Sequence, residues 1–294
     1  MDFVRTPDSR FSNLKDYPFD SHYVELNGLR MHYVDEGPES ASPILMLHGE
    51  PSWSYLYRHM IPICATAGNR VIVPDLMGFG KSDKPTRVKD YSYQLHMDWM
   101  TAFVEALNLQ NITLVCQDWG SLIGLRLAAE NEARFSRIVV GNGMLPTGNQ
   151  LLPSVFKMWK MFALYSPWFP IDRIVNAGCF RKLNGEERRA YRAPFPSSRY
   201  KAGARAFPRL VPTSPDDPAA EANRRACEIL KGWNKPFLTA FSNGDPITRG
   251  GDAYMVRRIP GATGQPHTTL KGGHFLQEDA GPEFAAVINS FVLR

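Results

Sequence analysis

The sequence lacks the features that would direct a protein to a membrane or to an oxidising compartment. No apolar run approaches the ~20 residues that a membrane-spanning helix requires. The first residues of the chain do not show the basic-then-apolar pattern of a signal peptide. Only four cysteines occur, and none forms a C-x-x-C pair. These absences predict a cytoplasmic protein whose thiols are reduced.

Motifs for binding metal ions and nucleic acids are also missing. None of the seven histidines has the spacing of a metal site such as H-E-x-x-H, so we expect no metal ion and no other cofactor. The net charge is +5, and the segment 148–232 contains 15 lysines and arginines against 7 acidic residues. Because these cations are dispersed rather than clustered, a solvated basic surface is favoured over a nucleic-acid or membrane site.

The chain does contain alternating strand and helix signals, which predict a mostly parallel sheet flanked by helices. Besides a strand that begins at Ile112, the predicted strands are 22–26, 29–35, 44–47, 70–74, 137–141, 236–241 and 267–270, and the predicted helices are 53–67, 122–130 and those from about 92 and 282. The alternation stops over 148–232, where proline-rich joints separate helical segments. We therefore predict a core domain of residues 1–147 and 233–294 with an inserted helical cap domain, 148–232.

The most informative run surrounds Asp118. An apolar strand leads into Asp118, and Trp119 and Gly120 open the helical stretch 122–130. This pattern resembles the strand–turn–helix elbow of the α/β-hydrolase fold, in which a G-x-S-x-G motif places the nucleophile at a sharp turn. No G-x-S-x-G occurs here, and Asp118 takes the nucleophile position. A carboxylate that attacks carbon forms an ester that must be hydrolysed, so an electrophilic carbon is the expected first target.

Two further residues are candidates for a catalytic triad. His274 lies on a glycine-rich loop after the last predicted strand, and Asp245 lies in the loop after the strand before it. Each has a structural alternative, since Gly-Asp-Pro is a good turn and loop histidines are common. The order of nucleophile, acid and histidine is nevertheless the order expected of this fold. Together the three residues predict a triad of Asp118, Asp245 and His274.

The loop after the strand 44–47 reads Leu47-His48-Gly49-Glu50-Pro51. In this fold that loop supplies one backbone N–H of the oxyanion hole, and the residue after the nucleophile supplies the other. The predicted donors are therefore the N–H groups of Glu50 and Trp119. We interpret His48 as a structural loop residue.

Four stretches carry a close resemblance to the haloalkane dehalogenases: His48–Arg58, Gln117–Gly120, Gly244–Asp245 and Gly273–Glu278. The resemblance covers nearly the whole chain and is looser in the cap. It implies an α/β-hydrolase fold with a mostly parallel eight-stranded sheet. It also implies that Asp118 displaces halide from a haloalkane, that His274 activates water to hydrolyse the alkyl-enzyme ester, and that Asp245 orients His274. The implied partners are a halogenated alkane, water and halide, with no cofactor, in a monomer or weak homo-oligomer.

The resemblance further implies two donors for the departing halide, of which Trp119 is the first. Some family members take the second donor from an Asn at the position of Glu50, and an ionised glutamate cannot donate. Those members often carry the acid after the sixth strand, where residues 141–144 contain no carboxylate. Both departures indicate the subgroup with the acid after the seventh strand and a cap tryptophan as second donor. Trp159 matches best among the candidates Trp159, Trp168 and Trp233, and the predicted pocket wall includes Phe156, Phe207, Pro208 and Val211.

Two other functions remain open. An epoxide hydrolase shares the fold, the Asp nucleophile and the His–Asp pair, and it needs acidic phenols in the cap to protonate the opening ring oxygen. Tyr165, Tyr191 and Tyr200 are present there. A non-catalytic binding protein of the same fold is the third possibility, although all three triad positions are filled.

Overall fold

The strands form one large sheet and one small one in a computed structural model that describes residues 1–150 and 153–293. The strands are β1 (Phe3–Val4), β2 (His22–Leu26), β3 (Leu29–Glu36), β4 (Pro43–Leu47), β5 (Arg70–Pro74), β6 (Lys84–Pro85), β7 (Ile112–Cys116), β8 (Phe135–Val140), β9 (Phe237–Ser242) and β10 (Thr268–Leu270). The eight-stranded sheet has the order β10-β9-β8-β7-β4-β5-β3-β2, and β1 pairs only with β6.

The large sheet is parallel from β10 to β5 and antiparallel at β3 and β2. All five residues of β4 and of β7 are buried, as expected for central parallel strands that have helices on both faces. β4 pairs with β5 on one side and with β7 on the other, so the strand order changes direction there. In open α/β sheets the crevice at such a point, outside the carboxyl ends of the strands, is the usual ligand site. The predicted fold class is confirmed.

Ten α-helices surround the sheet among the described residues. They are α1 (Ile61–Thr66), α2 (Tyr93–Ala106), α3 (Trp119–Glu130), α4 (Ser154–Tyr165), α5 (Ile171–Ala177), α6 (Gly185–Arg192), α7 (Ala202–Leu210), α8 (Ala220–Lys231), α9 (Gly251–Arg258) and α10 (Leu276–Val292). No helix in residues 1–150 and 153–293 is both long and apolar enough to cross a lipid bilayer.

Two predicted helices differ from the observed ones. The helix predicted over 53–67 is a short 3-10 turn at Ser54–Tyr57 followed by α1, and Pro62 lies in the first turn of α1, where a missing N–H costs little. The helix predicted from Pro282 begins at Leu276 instead. Pro282 lies inside α10, whose backbone is kinked at Ala280 because proline cannot donate to the preceding turn.

Between β8 and β9 the chain forms only helices. α4 contacts α7, and α5 contacts α6, whereas α8 packs against α3 of the sheet domain. α8 therefore packs mainly against the sheet domain, whereas the other four helices contact one another in pairs. The cap range 148–232 remains a prediction, and Leu151 and Leu152 within it lie outside the described residues.

Candidate active site

Asp118 lies at a sharp turn between β7 and α3. Its backbone has φ 51° and ψ −125°, a conformation that a residue with a side chain rarely adopts. The turn is held by the N–H of Asp118, which donates to the carbonyl of Asn142 at 3.0 Å, and by the hydroxyl of Ser121, which donates to the carbonyl of Asp118 at 2.6 Å. The surrounding structure thus fixes the carboxylate at the carboxyl end of the sheet.

Two glycines allow this turn to pack against the neighbouring strand. A Cβ on Gly120 would lie 2.0 Å from the carbonyl oxygen of Leu47, and a Cβ on Gly49 would lie 2.4 Å from the Cβ of Asp118. Both distances are far below van der Waals contact, so the elbow can form only with glycine, which has no side chain, at both positions.

The structure brings the three predicted triad residues together. The Nε2 atom of His274 lies 3.4 Å from Oδ2 of Asp118, and its Nδ1 atom lies 3.1 Å from Oδ2 of Asp245. Asp245 also accepts a hydrogen bond from the hydroxyl of Thr248 at 2.5 Å and one from the N–H of Ile247 at 2.9 Å. The imidazole therefore lies between two carboxylates, and the carboxylate of Asp245 is held by two further hydrogen bonds.

These contacts shift the pKa of both Asp245 and His274. Burial by itself would raise the pKa of Asp245, but the charge of His274 and the hydrogen bonds to the carboxylate outweigh it and lower the pKa to about 2. Burial by itself would lower the pKa of His274, but the charges and hydrogen bonds of Asp245 and Asp118 raise it to about 10. With both carboxylates ionised, His274 is therefore held in its protonated form.

Of the two predicted oxyanion donors, the N–H of Glu50 donates to Oδ1 of Asp118 at 2.7 Å. Trp119 is the first residue of α3, so its N–H is one of the helix's unpaired first-turn donors. The positive end of the helix dipole also favours negative charge at this position.

Two amide side chains hold the loop that carries His274. The amide of Asn142 donates to the carbonyls of Gly273 at 2.9 Å and His274 at 3.0 Å, and the amide of Gln117 donates to the carbonyl of His274 at 3.1 Å. Sequence reasoning missed both roles. The position of Asn142 after the sixth sheet strand is the available signal, although the sequence there shows directly only that a carboxylate is missing.

Asp118 and His274 open into a cavity of about 550 Å³ between the carboxyl edge of the sheet and the helices α4, α5 and α7. Of the predicted cavity residues, Trp119, Phe156, Trp159, Pro208 and Val211 lie in its wall. Sequence reasoning missed most of the remaining apolar lining, which includes Leu122, Met144, Phe162, Ile174, Phe180 and Ile247. These side chains come from elements far apart in sequence, so no local pattern identifies them.

Phe207 does not lie in the wall where we predicted it. It is fully buried behind Trp119, and the two rings stack with their centroids 4.3 Å apart. Successive residues of a helix point in different directions, so Pro208 faces the cavity while Phe207 packs beneath the indole.

The three tryptophans that are candidates for the second halide donor have different surroundings. Trp159 on α4 lines the cavity and packs near Phe169, with ring centroids 5.7 Å apart. Trp168 is 56% exposed, and Trp233 is fully buried outside the described cavity wall. Only Trp159 of the three is placed to touch a molecule bound beside Asp118.

His48 has the structural position that we expected. Its Nε2 atom accepts a hydrogen bond from the N–H of Leu76 at 2.9 Å, and its ring is fully buried. Burial lowers the pKa of His48, which keeps the ring neutral. Among the described residues, no group of three or more His, Cys, Asp or Glu side chains forms a potential metal site.

One cap segment, 178–181, packs directly on the loops that carry Asp245 and His274. Oδ2 of Asp279 accepts from the N–H groups of Phe180 at 2.9 Å and Gly273 at 2.8 Å. A Cβ on Gly273 would lie 2.3 Å from the carbonyl oxygen of Gly178, and one on Gly244 would lie 1.9 Å from the ring of Phe180. This segment and the histidine loop therefore share one carboxylate.

Comparison with known proteins agrees with this geometry. Residues 42–281 match the model of the alpha/beta hydrolase fold family. The chain is 55% identical to a haloalkane dehalogenase of Mycolicibacterium paratuberculosis, over 99% of this chain and 98% of that protein. It is also 55% identical to a haloalkane dehalogenase of Psychrobacter cryohalolentis, again over 99% of this chain and 98% of the relative.

The solved structures give the same result. The tetrameric haloalkane dehalogenase DpaA from Paraglaciecola agarilytica superposes with a TM-score of 0.91 at 36% identity, covering 97% of each chain. The sheet topology, the Asp–His–Asp arrangement and these full-length matches agree, and the chain belongs to the haloalkane dehalogenase family of the α/β hydrolases.

Proposed function

We propose that this protein hydrolyses haloalkanes to an alcohol, a halide ion and a proton. The observation that carries the proposal is the position of the Asp118 carboxylate. One oxygen is held by the N–H of Glu50, and the other faces His274 at the base of a mainly apolar cavity. Such a cavity suits an apolar substrate and strengthens electrostatic interactions within it.

In the first step Oδ2 of Asp118 attacks the saturated carbon that bears the halogen. A carbon–oxygen bond forms, the carbon–halogen bond breaks, and the halide leaves with the bonding electron pair. We propose that the indole N–H groups of Trp119 and Trp159 hold this anion, because both residues line the cavity beside Asp118. The product of the step is an alkyl ester on Asp118.

In the second step water hydrolyses that ester. Formation of the ester removes the negative charge of Asp118, and that charge helps to raise the pKa of His274. The pKa of His274 therefore falls, and His274 releases its proton to solvent, which is the proton produced by the overall reaction. The neutral imidazole then accepts a proton from the attacking water. The N–H groups of Glu50 and Trp119 stabilise the oxyanion. As the intermediate collapses, the carbon–oxygen bond to the alkoxide breaks, and the alkoxide takes the proton of the new carboxyl group, which releases the alcohol and restores the ionised carboxylate.

The position of the acid supports the proposed subgroup. Asp245 follows β9, the seventh strand of the large sheet in chain order, and residues 141–144 after the sixth strand offer Asn142 instead of a carboxylate. Together with Trp159 in the cavity wall, this favours the subgroup with a cap tryptophan as the second halide donor.

The cap tyrosines give little support to an epoxide hydrolase. Tyr165 is 72% exposed, and the hydroxyl of Tyr191 donates to Glu278. Neither of them nor Tyr200 is among the described residues of the cavity wall. An acid that protonates an epoxide oxygen has to reach the bound ring, which these phenols do not do.

The test is to incubate the protein separately with 1-bromobutane and with styrene oxide, and to assay bromide against diol. We expect bromide release from the first and no diol from the second. Diol without bromide would replace the proposal with the epoxide reaction. An Asp118→Ala variant that still releases bromide would refute the role of Asp118. Absence of both products from the intact protein would favour a binding protein.

Two further proposals concern the state of the protein. We propose a cytoplasmic location, because all four cysteines are free, as is usual in a reducing compartment. We propose a monomer or weak homo-oligomer, and the tetrameric state of DpaA makes sedimentation over a range of protein concentrations the measurement of choice.

A further inference from the structure

The outer side of helix α4 is apolar although it faces solvent. Its large exposed side chains recur at intervals of three and four residues, so they lie on one side of the helix: Met158, Met161 and Tyr165. Met158 is the most exposed of them, at 73%. Another side of the same helix lines the cavity with Phe156, Trp159 and Phe162. A helix that is apolar on so much of its surface is normally covered all round, so the outer side calls for a partner.

A further exposed aromatic ring, that of Trp168, follows the end of α4. The hydroxyl of Ser166 accepts from the N–H of Trp168 at 3.2 Å and donates to its carbonyl at 2.6 Å. Arg205 donates to the carbonyls of Ala163 at 2.9 Å and Ser166 at 2.8 Å, which fixes the last turn of the helix. The rings are therefore exposed on a backbone that is held by hydrogen bonds. Four residues form this exposed apolar face: Met158, Met161, Tyr165 and Trp168.

A basic surface pocket of about 300 Å³ includes Trp168 in its lining. Its charged residues are four cations and one acid, which leaves an excess of three positive charges: Arg173, Arg188, Arg192, Lys201 and Asp172. Asp172 is buried and forms ion pairs with Arg188 at 2.7 Å and Arg192 at 3.3 Å. The guanidinium of Arg173 lies 5.1 Å from the centre of the Trp168 ring. The pocket therefore joins the exposed apolar face to a site that suits a phosphate group.

Acidic residues are scarce around this face. Residues 133–171 contain no aspartate or glutamate, whereas α4 carries Lys157 and Lys160. Asp217 is influenced by Lys160, which helps to lower its pKa, but its carboxylate accepts from the N–H groups of its own loop, those of Thr213 and Ser214. The dispersed order of the cations in the sequence favoured a solvated surface. The fold instead gathers several of them beside exposed apolar side chains, so a fitting partner is both apolar and anionic.

We propose that this side of the cap docks on a bilayer that contains anionic phospholipids. The exposed apolar face enters the headgroup region, and the basic pocket receives a lipid phosphate. Apolar burial and attraction to anionic lipid are the two effects that hold an amphipathic helix at a membrane surface. Tyrosine and tryptophan favour this boundary because each combines an apolar ring with a polar group. A second copy of the chain fits less well, since a two-fold contact would place Lys157 and Lys160 against a surface of the same charge.

The docking itself does not depend on the proposed reaction, but it has a consequence for it. Val155 on α4 is exposed and also lies in the cavity wall, so the docked side of the cap adjoins the cavity that holds Asp118. If the protein hydrolyses haloalkanes, substrate dissolved in the lipid is then close to the cavity.

The experiment measures cosedimentation of the intact protein with vesicles of equal parts phosphatidylcholine and phosphatidylglycerol, and with vesicles of phosphatidylcholine alone. We expect binding to the anionic vesicles, release by added salt, and little binding to the neutral ones. Met158→Ser combined with Met161→Ser should weaken binding about ten-fold. Lys157→Gln combined with Arg173→Gln should weaken it about thirty-fold, as expected for the loss of two cations at the lipid surface.

Each pair of substitutions has a matched control outside the proposed surface. Ile229→Ser removes an exposed apolar side chain from α8, and Arg257→Gln combined with Arg258→Gln removes two exposed charges from α9. Both controls should bind within about two-fold of the wild type, because neither α8 nor α9 belongs to the docked surface. Equal losses in the controls and in the variants of the face would reduce the effect to net charge and overturn the proposal.

The remaining outcomes also decide. A wild type that does not sediment with anionic vesicles, or a methionine variant that binds as well as the wild type, would refute docking through this face. An oligomer in sedimentation velocity that the methionine substitutions dissociate, without vesicle binding, would assign the face to a second copy. Should that variant fail to fold, as judged by circular dichroism, tryptophan emission decides: vesicles should shift it to the blue in the wild type but not in Trp168→Phe. Bromide release from 1-bromobutane is assayed without vesicles, so the proposed function stands or falls separately.

Discussion

Oδ2 of Asp118 lies 3.4 Å from Nε2 of His274, and the imidazole bonds on its other side to Asp245. In the proposed mechanism this contact joins the nucleophile to the base that later activates water to hydrolyse its ester. In the first proposed step Asp118 is ionised and His274 is protonated. In the second step Asp118 is a neutral ester and His274 is the neutral base. Substitutions on either side of the contact should separate the steps.

Replacing His274 with Phe should stop the reaction after the first step. Alkylation needs only the ionised Asp118, whereas hydrolysis of the ester needs a base. Incubation with 1-bromohexane should give a covalent adduct, seen by mass spectrometry as one added hexyl group on Asp118. The wild type serves as the control and should show no stable adduct. A variant that remains unmodified while folded would rule out the two-step scheme.

Replacing Asp245 with Asn should slow hydrolysis of the ester more than its formation. The amide no longer holds the imidazole by charge, and the pKa of His274 falls because a raising charge is removed. By analogy with other carboxylate–histidine pairs, we expect kcat to decrease about 10³-fold or more. Pre-steady-state measurement of halide and alcohol should show a halide burst. Equal loss of both steps would mean that Asp245 supports the whole site rather than His274.

The same substitution predicts a pH dependence of stability. The pKa of Asp245 is about 2 in the folded protein and about 3.9 in an unfolded chain. The ionised carboxylate therefore stabilises the fold above pH ~4, and this contribution is lost as pH falls through 2. Urea unfolding should show a difference between wild type and Asp245→Asn that narrows toward pH 2. A difference that grows on acidification would contradict the direction of the pKa shift.

Replacing Trp159 with Phe should weaken halide binding while keeping the aromatic packing of the cap. Loss of one charge-assisted N–H donor corresponds to an affinity decrease of about ten-fold. Bromide quenching of the remaining tryptophans is the measurement. Trp168→Phe is the matched control, since Trp168 is 56% exposed and should leave affinity unchanged. An effect of equal size in both variants would remove Trp159 from the proposed halide site.

Replacing Gly120 with Ala should prevent normal folding, because the new Cβ would lie 2.0 Å from the backbone oxygen of Leu47. Overpacking against backbone should cost at least ~3 kcal/mol of unfolding free energy. Gly185→Ala is the control, since a Cβ at that position, in the first turn of α6, meets no heavy atom within 4 Å. We expect it to be neutral or stabilising by ~0.5 kcal/mol. Thermal unfolding of both variants checks the pair.

Much of the sheet could be predicted because each strand and turn has a local signal. The turn Asn27-Gly28 between two alternating patterns predicted the β2–β3 hairpin, and both residues have the positive φ that such a turn requires. The strand 70–74 was predicted with its observed ends. By contrast, the pairing of β1 with β6 was missed, because two residues are too few to show a period.

The site was predictable along the sheet edge and less so in the cap. Asp118, Asp245 and His274 follow strands whose carboxyl ends meet, so their order in the chain indicated their proximity. The direction of a side chain in the cap depends on how helices that are far apart in the sequence pack together. No local sequence pattern predicts that packing. Phe207 was predicted in the cavity wall, whereas it stacks behind Trp119, and Phe180, which lines the wall, was not predicted.

The contact of segment 178–181 with Asp279 has a consequence for engineering. Cap grafts between relatives are an obvious way to change substrate preference, and this segment belongs functionally with the catalytic loops rather than with the helices around it. A chimera that takes this segment from a donor with a different residue at the position of Asp279 would displace the loop that carries His274. Junctions should therefore leave the recipient's residues 178–181 in place and exchange the helices on either side.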